Sequence, residues 1–242
     1  MRVSESDGSL SVVTVVFEAE VPLLELQARS IARHVADGVF DEYLVIDDTR
    51  TGLSPRARRR IHAALGIHGS RLAVTSRHGF GTAESVSGGR SLQRLTPMAA
   101  RQVAADHYVV LAAMDHFIES TTRADIDSVI GTPHGGVATG ATPDELVSGR
   151  SLVSPTVWAD RSDPDDVRSV LEQAAFSDTT TLAVDRRALV RLRPESVREL
   201  AAFWAGHGLF RSSTEARRFI RRFRAAYLRS MVARGIRERM SR

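Results

Sequence analysis

The chain has 242 residues, is 43% hydrophobic and carries a formal net charge of +4, which fits one large domain or one domain with an appendage. It has no cysteine, and all 33 basic residues are arginine. Disulfides, thiolate metal sites, cysteine nucleophiles, lysine Schiff bases and the lysine of a Walker phosphate loop are therefore excluded. The charge is unevenly spread: sixteen arginines face four acids from Arg186 onward, a net +12, leaving −8 on the remainder.

The β-branched, apolar run from Ser11 to Phe17 predicts a buried strand. Its apolar part, Val12 to Phe17, is interrupted by Thr14, lacks a basic n-region of the usual kind and a small-residue cleavage site, and does not read as a signal peptide. No apolar run approaches the roughly 18–20 residues that span a bilayer, so the expectation is a cytoplasmic protein. Pro22 suits the first turn of a helix, whose apolar side then follows Leu23, Leu24, Leu26, Gln27, Ile31 and Val35. Tyr43 to Ile46 is a second short strand ending on Asp47-Asp48. Ser54-Pro55 is a cap and first-turn pair for the next helix. Arg71 to Thr75 is a third strand, Gly79 to Gly89 a glycine-rich loop, and about Ser91 to Ala105 a helix. His107 to Ala112 is a fourth, very apolar strand.

In the second half, Gly131 to Gly140 reads as a loop carrying His134, and Asp163-Pro164 opens a helix to about Ala175. Thr179 to Val184 is a strand, Pro194 to Ala205 a helix, and Ser212-x-x-Glu215 a capping box opening a last long helix. In that helix Phe219, Phe223, Tyr227 and Met231 recur at four-residue spacing, with arginines crowding the other positions. The expectation is docking by the aromatic stripe, from about Thr214 to Arg234. An anionic membrane surface is the alternative use of the basic face. No recognition motif for nucleic acid accompanies the charge.

The strand–helix alternation implies an α/β fold, a mainly parallel sheet with helices on both faces and a basic helical tail. The domain division it suggests is 1–190 for the α/β body and 191–242 for the tail. Ligands of such sheets bind beyond the carboxyl ends of the strands. Here those ends carry Glu18, Glu20, Asp47, Asp48, Asp115 and His116. Glu18 or Glu20 could serve as a general base, and Asp115-His116 as a metal or acid/base pair; a strand-end histidine bonded to backbone is the other reading of His116.

Four segments resemble a family of bacterial proteins of glycosyltransferase A-like fold, known as a domain of unknown function. They are S-V-V-T-V-V-F-E-A-E-V-P-L-L-E-L-Q-A-R-S from Ser11 to Ser30, L-V-I-D-D-T from Leu44 to Thr49, G-G-R-S-L-Q-R-L-T from Gly88 to Thr96, and Y-V-V-L-A-A-M-D-H-F from Tyr108 to Phe117. A weaker fifth match is Thr179 to Val190. The resemblance implies a nucleotide-sugar donor, with Asp47 or Asp48 on the base or ribose, Arg90 on the diphosphate with Gln93 one turn away, and a divalent metal (manganese or magnesium) on acids after the fourth strand. Arginine suits a diphosphate because its donors form a bidentate fork, and a hard cation needs oxygen ligands. Departures are concentrated in the same motifs. Ala112 stands where the family has aspartate, Met114 for lysine, Asp115 for asparagine, Gly89 for tryptophan and Thr96 for lysine. Asp115 is then the sole carboxylate left for an ion, which makes the metal doubtful. Three functions stay open: a glycosyltransferase acting on an unspecified acceptor, a scaffold that has lost transfer chemistry, and a repurposed metal-free enzyme in the same pocket.

Overall fold

A computed structural model of the chain describes residues 9–76, 103, 105, 107–130, 181–183 and 186–240. Four strands form one parallel sheet: β1 (Leu10–Val16), β2 (Glu42–Asp47), β3 (Leu72–Ser76) and β4 (His107–Ala112), in the order β3-β2-β1-β4. The α/β class and mainly parallel sheet expected from the alternation are those observed. Register is set at β1, where Val12 lies opposite Tyr43 on one side and Val109 on the other. A short antiparallel pair follows, β5 (Asp115–Phe117) with β6 (Thr181–Ala183). This pairing joins the fourth and fifth matched segments.

Two helices cross over from the first strands: α1 (Val21–His34) and α2 (Pro55–Ala64). Pro22 sits in the first turn of α1, where its missing N–H costs nothing. The Ser54 hydroxyl caps α2 by accepting from the Ala57 N–H. Later come α3 (Arg123–Ile130), α4 (Arg186–Arg191), α5 (Pro194–Gly206) and α6 (Ser213–Met240). The capping serine of α6 is as expected, Ser212 accepting from the Glu215 N–H. The predicted helix ending near Ala105 lies almost wholly outside the described residues, and Val103 and Ala105 themselves are not helical. The predicted helix from Asp163 and the 131–140 loop with His134 lie outside them too.

Alternation along β1 sends Leu10, Val12 and Val16 into one core with Leu24, Ala28 and Ile31 of α1. Val13, Val15 and Ile46 point the other way and are equally buried, so the sheet is covered on both faces. A second core lies behind α1. There Leu23 and Leu26 meet Leu189, Leu200, Trp204, Phe210, Phe219 and Phe223. Helix α1 is thus walled in on two sides, which explains its width of apolar positions. Of the four residues expected to dock the last helix, Phe219 and Phe223 are buried and Tyr227 packs half-buried beside them, but Met231 is 48% exposed. The stripe drifts because 3.6 residues per turn do not return a strict four-residue repeat to one face. Among the described residues no helix is long and apolar enough to cross a membrane.

Candidate functional site at the carboxyl ends of the strands

From β1 the chain crosses to β2 on one side, and it returns to β4 on the other. The carboxyl ends of β1 and β4 therefore flank the topological switch point, where open parallel sheets bind ligands. Phe17 and Glu18 follow β1, the 112–115 turn follows β4, and Asp47-Asp48 stands one strand over. The predicted candidates at Asp47, Asp48 and Asp115 thus share one edge of the sheet. Arg90 and Gln93 lie outside the described residues.

The acids at this edge are held differently. Asp47 is 2% exposed and spends its carboxylate on its own loop. One oxygen accepts from the Thr49 N–H at 3.0 Å and the Thr49 hydroxyl at 2.5 Å, and the other from the Leu53 N–H. Gly52 permits this wrap, with φ of +77° in the left-handed region that favours glycine. Asp48 is half-buried, and its N–H extends the ladder to the Val16 carbonyl at 3.0 Å. Glu18 is exposed and accepts from the Arg50 N–H at 3.2 Å, tying the loops after β1 and β2 together. Glu20 is buried and turns back on the Phe17 N–H at 3.3 Å.

The turn after β4 is fixed from beneath by α1. The Gln27 amide donates to the carbonyls of Ala112 and Asp115 at 2.8 and 2.9 Å. Its oxygen accepts from the Thr14 hydroxyl at 2.9 Å and the Tyr43 hydroxyl at 2.5 Å. One turn along, the Ser30 hydroxyl accepts from the Phe117 N–H at 3.0 Å. Sequence reading places Gln27 only as one position on a helix face. A full-length polar side chain between Leu26 and Ile31 is the signal that points to a buried hydrogen-bonding hub.

Asp115 is 4% exposed and accepts from the Ala112 N–H at 2.7 Å. Burial pushes its carboxyl up to about 7, against the opposing pull of that N–H. His116 is fully buried. Its Nε2 accepts from the Trp204 indole N–H at 3.0 Å, and its Nδ1 side meets the Met114 carbonyl at 3.3 Å. Burial holds the ring down at about 4, with the bond to Met114 opposing. A neutral ring with both nitrogens engaged has none left to take a substrate proton, which favours the backbone-bonded reading of this histidine.

A divalent cation does not fit the donor set described here. Asp115 faces its own turn, and among the described residues no three carboxylates or histidines converge as a cage. A cleft of about 280 Å³ does open elsewhere, between the start of α1, α2 and the middle of α6. Neither Asp47, Asp48 nor Asp115 lines it.

No protein-family profile matches the sequence, and no curated protein is significantly similar to it. Solved structures similar to it include two sugar transferases and one complex with UDP. Galactosyltransferase LgtC, in complex with donor and acceptor sugar analogs, is 18% identical with a TM-score of 0.36, over 52% of this chain and 44% of that one. TarS of S. aureus in complex with UDP is 15% identical with a TM-score of 0.38, over 91% and 70%. Mannosyltransferase PcManGT from Pyrobaculum calidifontis, in complex with GDP-Man and Mn2+, is 12% identical with a TM-score of 0.38, over 98% and 81%. The chain thus spans less than half of the LgtC chain. Likenesses this distant assign no residue of this chain a role.

Proposed function

We propose that this chain binds a nucleotide-sugar donor at the carboxyl ends of β1, β2 and β4 and is glycosyltransferase-like in function. The supporting observation is the crossover between β1 and β4, with the loops of Glu18, Asp48 and Asp115 gathered at that edge. The motif order of the sequence supplies the donor class. In this reading Asp48 meets the ribose or base, Asp47 shapes the loop that presents it, and Arg90 with Gln93 takes the diphosphate.

Calorimetric titration with UDP and GDP, with and without manganese, tests the reading. Binding should appear without metal, and Arg90→Ala should weaken it about ten- to a hundred-fold, the worth of a charge-assisted bidentate contact. An absence of binding to either nucleotide at millimolar concentration sinks the proposal.

One observation favours a second reading, that of a scaffold without transfer chemistry. Asp115 and His116, the two predicted catalytic groups, are both buried and engaged by the fold. A donor that binds but is neither hydrolysed nor transferred to any of a panel of sugar acceptors would select it.

A further inference from the structure

Helix α6 is docked by Ala216, Phe219, Ile220 and Phe223, all buried. Its outward side is a different surface. Leu228, Met231 and Val232 are 54%, 48% and 62% exposed, and their i, i+3, i+4 spacing gathers them within about 100° of arc. Arg218, Arg222 and Arg229 form a second column, roughly a quarter turn round the same helix. Neither Arg218 nor Arg222 has a partner among the described residues, and Arg229 bonds only the Ala225 carbonyl of its own helix. Arg222 and Arg229 also rim the cleft described above, together with Arg60 and the apolar Val21, Pro22 and Ile61. Glu25, the cleft's carboxylate, is already held by Arg60 and Arg29.

We propose that this side of α6 and the adjoining cleft rim dock on an anionic lipid surface. Leu228, Met231 and Val232 enter the headgroup–acyl boundary, and Arg218, Arg222 and Arg229 meet the lipid phosphates. A helix that pairs a small apolar patch with a basic flank gains from both contacts at such an interface. A second copy of the chain fits worse. From Arg217 to the end, ten arginines stand against one acid, Glu238, so a symmetric contact sets like charges face to face. A nucleic acid satisfies the arginines but leaves the apolar patch against phosphate or water.

The test is co-sedimentation of the full chain with vesicles of phosphatidylcholine alone, or with about one third phosphatidylglycerol. Binding is expected only to the anionic vesicles and should weaken as salt rises. The triple changes Leu228→Ser/Met231→Ser/Val232→Ser and Arg218→Glu/Arg222→Glu/Arg229→Glu should each lower partition by on the order of tenfold or more. Because the chain has no cysteine, Met231→Cys gives a single site for an environment-sensitive dye. That dye should shift to the blue on anionic vesicles, while one at Glu199→Cys, an exposed position of α5, should not. A chain that stays in the supernatant, partition unchanged in both triples, or an unshifted dye at position 231 each overturns the proposal. So does a concentration-dependent dimer abolished by the apolar triple, since the patch then belongs to a second copy.

Discussion

Gln27 on α1 and Asp115 after β4 are separated by 88 positions, yet the side-chain amide of the first donates to the backbone carbonyl of the second at 2.9 Å. All four hydrogen-bonding places of that amide are filled, inside the protein, by β1, β2 and both ends of the turn. Gln27→Leu should therefore strand two hydroxyls and two carbonyls. At about 1–3 kcal/mol for each buried group left unpaired, partly relieved by relaxation, the expected loss is at least about 3 kcal/mol. Urea denaturation measures it; a loss below about 1 kcal/mol means that the hub is dispensable.

Adjacent residues in this turn should give opposite pH dependences. Asp115, raised from 3.8 to about 7 mainly by burial, makes the folded state bind more protons than the unfolded one between about pH 4 and 7. It thus removes stability as pH rises through that window. His116, lowered from 6.5 to about 4 mainly by burial, makes the unfolded state the better proton binder, and removes stability as pH falls from about 6.5 to 4. The two slopes largely offset each other in the native chain. Asp115→Asn should gain on the order of 2–4 kcal/mol at pH 8 relative to its difference at pH 4. It should also steepen the loss of stability on acidification, to which His34 and His68, both held down chiefly by burial, contribute equally in the two proteins. Parallel stability–pH curves for mutant and native chain would contradict the assignment.

Trp204→Phe should uncouple α5 from this turn. It keeps a six-membered aromatic ring in the second core but deletes the indole N–H that reaches His116 at 3.0 Å, with a small void in its place. The expected cost is about 1–2 kcal/mol, and the freed Nε2 should titrate at higher pH. Histidine ring resonances followed by NMR against pH would show an unmoved His116 if the bond is unimportant.

Packing and not charge holds α6. Phe223→Ala should cost about 3–5 kcal/mol, as for other buried aromatic truncations. Glu215→Gln, which breaks a 3.0 Å ion pair to Arg29 between partly exposed side chains, should cost less than about 1 kcal/mol. Thermal melts of the two variants rank them directly, and comparable losses would refute the ranking.

Much of the sheet was readable because its signals are local. The fourth strand is found at its predicted bounds, His107 to Ala112, and the first three within about one residue. Ser54 and Ser212 mark their helices because a cap needs only its neighbours. The turn after β4 was not readable in the same way. Asp115-His116 leaves two readings open in the sequence, a reactive pair and a strand-end histidine bonded to backbone. Whether such groups face a ligand or the interior depends on Gln27, Trp204 and β6, all far along the chain. The outward position of Met231 escaped for a geometric reason, since four-residue spacing drifts round a helix over about three turns.

Helix α1 lies between two cores, one shared with the sheet and one shared with α4, α5 and α6. During synthesis its sheet side can be covered early, from strands near the start of the chain. Leu23 and Leu26 must wait for Trp204, Phe219 and Phe223 to emerge. A nascent chain lacking these residues therefore carries a greasy ridge in need of cover, and chaperone occupancy should fall only once the final helix has cleared the ribosome.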